Sequence, residues 1–148
     1  MIELDQIQAD ELIKMDKKSL AADEIDLPDF GGSINISMSS LDEREVFSID
    51  VSRGRVELTR GKNQLRGRGV VVLLRLDYGG APHRNPDGEE MPCPHLHVYR
   101  AGFGDKWALP LPEGVFTNLS DHIVTLTEFM TFCNVKKPPK IRVGLFSQ

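Results

Sequence analysis

The chain has 148 residues, 40% of them hydrophobic and 27% charged, with a net charge of −4. These proportions support a packed core and argue against a disordered or fibrous chain. No apolar run approaches the ~18 residues needed to cross a bilayer, and the acidic start MIELDQIQADEL lacks the basic-then-apolar order of a secretory signal. A cytoplasmic protein without membrane contact is expected, and two cysteines, Cys93 and Cys133, are too few for a disulfide framework.

The length suits one domain spanning residues 1–148. Its first part, 1–32, reads as an acidic segment, a short helix over 2–18 and then a linker. Leu4, Ile7, Leu12 and Met15 are its apolar positions, and Pro28 and Gly31-Gly32 break the chain afterwards. A β-rich core is expected over 33–112. Ile34, Ile36 and Met38 alternate with polar residues, as do Phe47, Ile49 and Val51, and then Val56 and Leu58. Period-two alternation marks half-buried antiparallel strands. Ser52-Arg53-Gly54 and Gly61-Lys62-Asn63 read as connections. Val70–Leu76 is nearly continuous aliphatic sequence and predicts the central strand.

Asn85-Pro86-Asp87-Gly88 is a turn signal, predicting a hairpin with arms 76–84 and 89–100 in which Pro92 and Pro94 disturb the ladder. Gly102, Gly104 and Asp105 predict a further turn before a short strand near Trp107–Leu111. A helix is expected over 118–134, capped by Asn118 or Ser120, with Asp121 favouring its positive end. Leu119, Ile123, Leu126, Met130 and Cys133 would form its buried stripe. Ile141, Val143 and Leu145 suggest a last edge strand in 140–146. The expected fold is α+β: a curved antiparallel sheet or small open barrel packed by the C-terminal helix.

The segment Pro82–Pro112, PHRNPDGEEMPCPHLHVYRAGFGDKWALPLP, concentrates the chemistry. Cys93, His95, His97 and Tyr99 lie two apart, so on a strand they share one face while Leu96 and Val98 take the other. One reading is zinc held by His83, Cys93, His95 and His97, although C-P-H-L-H is not a standard knuckle spacing. A second is metal-free RNA cleavage, with no cofactor. His95 and His97 would be base and acid, Tyr99 a support or acid, His83 a further candidate, and Lys106 or Arg100 the phosphate stabiliser. Trp107 or Tyr78 could stack on a base.

Charge favours the second reading. Residues 1–50 carry 13 acidic and 4 basic side chains. Between Arg53 and Arg75, by contrast, Arg53, Arg55, Arg60, Lys62, Arg66, Arg68 and Arg75 face Glu57 alone, a pattern that could track a nucleic-acid backbone. RNA is therefore one expected partner, and a host or cognate protein bound by the acidic N-terminal segment is another. The alternative from a different class is a non-enzymatic interaction module, stabilised by zinc or metal-free. Asp77 reads as a turn residue or as an orienter of a histidine, with the turn preferred. Cys133 reads as core, and no role is expected of His122.

The block LLRLDYGG, PHRNPDGEEMPCPHLHVYRAGFGDKWALPLP and the helix ending FMTFCNV, together spanning roughly residues 45–136, resembles a family of small bacterial and prophage proteins built on a domain of unknown function. That resemblance implies a bacterial or mobile-element setting, while the toxin-like size belongs to the ribonuclease reading. It supplies no reaction and no residue roles.

Overall fold

In the computed structural model, which describes residues 3–144, the chain opens with helix α1, Gln6–Lys14. Asp5 begins it with a capping box: its carboxylate accepts from the Gln8 backbone, and the Gln8 side chain accepts from the Asp5 N–H. Leu4 and Leu12 are buried, whereas Ile7 is exposed. The helix ends sooner than expected because Lys17–Ser19 already forms strand β1, which is followed by β2, Glu24–Asp26.

The main sheet contains β3 (Ser33–Ser40), β4 (Val46–Arg53), β5 (Gly61–Gly67) and β6 (Val71–Tyr78). Two small strands, β7 (His83–Arg84) and β8 (Glu90–Met91), pair with each other across the expected Asn85–Gly88 turn. There the Gly88 N–H donates to the Asn85 carbonyl, and Gly88 takes φ +89°, a conformation that favours glycine. β9 (His95–Val98) and β10 (Ala108–Leu109) return to the main sheet. Its order is β1-β3-β4-β5-β6-β9-β10, antiparallel at each pairing and open at both edges, so no barrel closes. Helix α2, His122–Phe132, follows, and β11, Lys140–Arg142, pairs in parallel with β2. Leu145, expected in the last strand, lies outside the described residues.

Alternation divides the sheet into two faces. Phe47, Ile49, Val51, Leu65, Leu76 and Leu96 are buried with Leu126, Phe129, Met130 and Cys133 of the second helix. Asp121, rather than Asn118 or Ser120, caps that helix, accepting from the Ile123 and Val124 backbone. Its buried face is rotated from the expected stripe. Leu126, Met130 and Cys133 are buried as read, Leu119 and Ile123 are half-buried, and His122, Thr125 and Phe129 take the remaining positions.

Two expectations fail in adjacent segments. Val56 and Leu58 are exposed in a loop, Val56 at 88%, because the chain folds back there through bonds from Arg60 N to Glu57 O and from Gly54 N to Arg60 O. The strand lies at Gly61–Gly67 instead, where a connection was expected. Its inward positions are Gly61, Asn63, Leu65 and Gly67. Gly61 is required, because a Cβ there would stand 2.3 Å from the Tyr78 hydroxyl. The three residues Arg68, Gly69 and Val70 then lead into β6, with Arg68 and Gly69 at positive φ. Close to this turn Leu65 pairs with Leu74 while Arg66 pairs with Val72, so Leu73 is an extra residue, a bulge in β6.

Candidate metal centre

Opposite the helices, the outward positions form rows set by register. Lys62 faces Asp77 and Asp77 faces His95; Gln64 faces Arg75 and Arg75 faces His97. Asp77 is therefore a strand residue at the middle of the site, not a turn residue. His95 and His97 are each only 1% exposed, because other segments cover this end of the sheet.

Two covering contacts fix the position of the hairpin. The Asn85 amide donates to the Ala108 carbonyl at 2.9 Å and its oxygen accepts from the Ala108 N–H at 2.8 Å, so the side chain acts as one more strand partner for β10. His83 Nε2 donates to the Lys106 carbonyl at 2.7 Å, and its ring lies 4.6 Å from that of His97 and 6.0 Å from that of His95.

Hydrogen bonds set the tautomers. His97 Nδ1 is 2.8 Å from the Asp105 carbonyl and His95 Nδ1 is 3.2 Å from the Pro92 carbonyl. A carbonyl oxygen only accepts, so both Nδ1 atoms carry hydrogen and both neutral rings present an Nε2 lone pair. Each Nε2 lies 3.4 Å from Asp77 Oδ2. The ligating atoms of Asp77, His95 and His97 all fall within 4.8 Å of one another.

Arg75 braces this group. Its Nε donates to Asp77 Oδ1 at 3.0 Å, its Nη1 to Asp105 at 2.9 Å, and its Nη2 to His97 Nε2 at 2.9 Å and Asp77 Oδ2 at 3.3 Å. Burial opposes the Asp77 charge, yet the Arg75 guanidinium, through its charge and its two donors, holds the carboxyl well below the usual carboxylate range. Burial pushes His95 toward its neutral form. His95 Nε2 has no hydrogen-bond partner at all.

The other expected site residues are used elsewhere. Cys93 accepts from the Gly80 N–H at 3.3 Å and lies 3.5 Å from the Asp77 carbonyl, outside the Asp77–His95–His97 group. The Tyr99 hydroxyl donates to the Leu4 carbonyl and accepts from the Leu4 N–H, tying down the start of α1. Lys106 is exposed and contributes its carbonyl to His83. Tyr78 is buried on the helix side, where its hydroxyl meets His122 Nδ1 at 2.8 Å. His122, for which no role was expected, also reaches the Leu58 carbonyl and so anchors the loop before β5. The Arg100 guanidinium lies over the Trp107 ring at 4.1 Å.

The basic run does not form one patch. Arg66 bonds Asp50 through two nitrogens, and Arg68 bonds Glu45 in the same way. Arg75 is held as described, and Arg53 reaches the Pro28 carbonyl and stacks over Phe30. These acids and acceptors come from neighbouring segments, which a count along the chain cannot see. Arg55, Arg60 and Lys62 remain exposed. Among the described residues, no helix is long and apolar enough to cross a membrane.

Residues 4–135 match a family described as a family of unknown function, DUF6978. No curated protein and no solved structure matches the chain.

Proposed function

We propose, for a chain that belongs to this family of unknown function, that Asp77, His95 and His97 bind a divalent first-row transition ion, Zn²⁺ or Fe²⁺, and that the protein works as a metalloprotein through it. One observation carries this reading. His95 Nε2 is buried, has no partner, and faces a carboxylate oxygen 3.4 Å away. Two acceptors in that position repel unless a cation lies between them.

The donor set suits an ion. With bonds of ~2.0–2.1 Å, tetrahedral ligands stand roughly 3.3–3.4 Å apart, which matches both Nε2–Oδ2 separations of 3.4 Å. Two imidazoles and one carboxylate are ligands for zinc or non-haem iron. The carbonyls of Pro92 and Asp105 hold the rings in the required tautomer, and Arg75 orients the carboxylate. Three protein ligands leave a position for water or substrate, as in hydrolytic zinc sites. On binding, Arg75 Nη2 gives up His97 while its Nε and Nη1 keep the two aspartates.

The test is elemental analysis of untagged protein. Near-stoichiometric zinc or iron is expected, lost in His95→Ala and Asp77→Asn. Trace metal only, with a melting temperature indifferent to added zinc and to chelator, would refute the assignment.

A second reading keeps His95 and His97 as a metal-free acid–base pair acting on the 2′-hydroxyl of RNA. The Arg75 guanidinium beside His97 favours it, since it could stabilise a charged phosphorane. The near-complete burial of both rings weighs against it. It requires cleavage that persists in EDTA and leaves a 2′,3′-cyclic phosphate.

A further inference from the structure

We infer that the pocket beside Asp77 binds the phosphate group of a small polar molecule, with Lys62 and Arg60 as its cationic contacts. The inference rests on the metal reading for the ion that would share the ligand, but not for the two cations. The pocket, about 230 Å³, lies where β4, β5 and β6 end, and Ser52, Arg53, Arg60, Lys62, Asp77 and Gly80 line it.

Its charge is unbalanced. Three cations meet one carboxylate, and that carboxylate is already matched by Arg75. Among the described residues, Arg60 and Lys62 have no ion pair. Arg53 Nε is buried in the same wall without a hydrogen-bond partner. Arg53 also has Asp29 near its charge, so the unspent capacity is that of Arg60 and Lys62, and two unpaired cations beside a third around one cavity call for an anion.

Register joins this pocket to the metal centre. Lys62 stands directly across the ladder from Asp77, and Asp77 across from His95. A tetrahedral oxyanion held by Lys62 and Arg60 thus lies beside the ion's ligands, not on a remote surface.

The neighbouring groove defines the rest of the ligand. It shares Ser52 and Lys62 with the pocket and is walled further by Ser33, Asn35, Asp50 and Gln64, with a volume of about 450 Å³. Every side chain there except Ile34 is polar, and no aromatic ring lines it. A hydroxylated body would hydrogen-bond in this groove, whereas a nucleobase would find no stacking platform. The pocket itself is below the ~300–1,000 Å³ of most small-molecule sites, a size suited to a phosphoryl group.

Calorimetric titration of the zinc-loaded full chain with inorganic phosphate and with ribose 5-phosphate tests the inference. Both should bind saturably, ribose 5-phosphate more tightly. Lys62→Gln and Arg60→Gln should each weaken phosphate by about tenfold without changing zinc content. Both side chains are exposed, so the variants should melt as wild type does. The inference is overturned if zinc-loaded protein shows no saturable phosphate binding, or if neither substitution alters it. Tighter binding of an RNA hexamer that phosphate cannot displace would also overturn it, in favour of a polymer. If the chain takes up no zinc but still binds phosphate through Lys62 and Arg60, the metal reading falls and the pocket assignment stands.

Discussion

Lys17 and His95 are both buried polar side chains, and they differ in what they leave unsatisfied. The Lys17 ammonium donates to the carbonyls of Ile13, Met15 and Cys133 at 3.0, 2.8 and 2.9 Å, closing the ends of both helices. Burial pulls it down to about 8, so it stays largely charged at neutral pH. Three N–H groups meet three acceptors, and nothing remains to offer a ligand. His95 satisfies Nδ1 and leaves Nε2 bare. A polar group saturated by its own chain is a clamp; one left half-saturated beside two other donor atoms keeps capacity for a ligand.

The largest effect should come from breaking the clamp. Lys17→Met strands three carbonyls and should cost about 3–5 kcal/mol, read from urea denaturation midpoints. His95→Leu in metal-free protein should cost no more than about 1 kcal/mol, since the acceptor it removes had no partner and only the Pro92 carbonyl loses a donor. Equal costs would make the histidine cluster a structural core and erase the contrast.

Zinc sharpens the difference. At free zinc about 100-fold above its dissociation constant, wild type should gain about 2.7 kcal/mol. Lys17→Met should gain as much, and His95→Leu nothing. Thermal melts with and without the ion would expose any variant that departs from this order.

The smallest effect belongs to the paired surface charges. Burial alone would raise Asp50, but bonds from Arg66, Asn35 and Gln64 bring it below its ordinary value. A carboxyl lowered in the folded state stabilises above its unfolded pKa, and that contribution fades as pH falls toward the folded value. Asp50→Asn should therefore cost a few tenths to about 1 kcal/mol at pH 7, after allowance for solvent. The gap from wild type should narrow below about pH 4. A gap that widened in acid would mean that Asp50 is not held by these donors.

What the sequence revealed follows from where each signal resides. β3 and β4 carry their own alternation, β6 its continuous aliphatic run, α2 its own spacing, and the Asn85–Gly88 turn its own chemistry, so all were legible. β5 was not, because Leu65 is its only apolar inward side chain and the others are Asn63 and two glycines, Gly61 and Gly67, whose fit depends on Tyr78 and Leu73 of the next strand. The two histidines were visible as an i, i+2 pair. Asp77 and Arg75 form the same i, i+2 pattern in LLRLDY, but only strand pairing brings that pair opposite the histidines. The apparent basic patch failed for the same reason: Asp50, on the preceding strand, and Glu45, just before it, neutralise Arg66 and Arg68.

The bulge at Leu73 sets the phase of everything after it. Counted from the Arg68–Val70 turn without the extra residue, Leu73 would oppose Leu65, Arg75 would oppose inward-facing Asn63, and Asp77 would oppose Gly61. Both charged side chains would then enter the apolar layer, and Leu74 and Leu76 would surface beside the histidines. Leu73 works as a one-residue frameshift in the pleat. It lets a hairpin begin in the register its turn requires and finish in the register that sets Asp77 opposite His95, so the position of the Asp77 carboxylate is decided by an aliphatic residue four positions earlier.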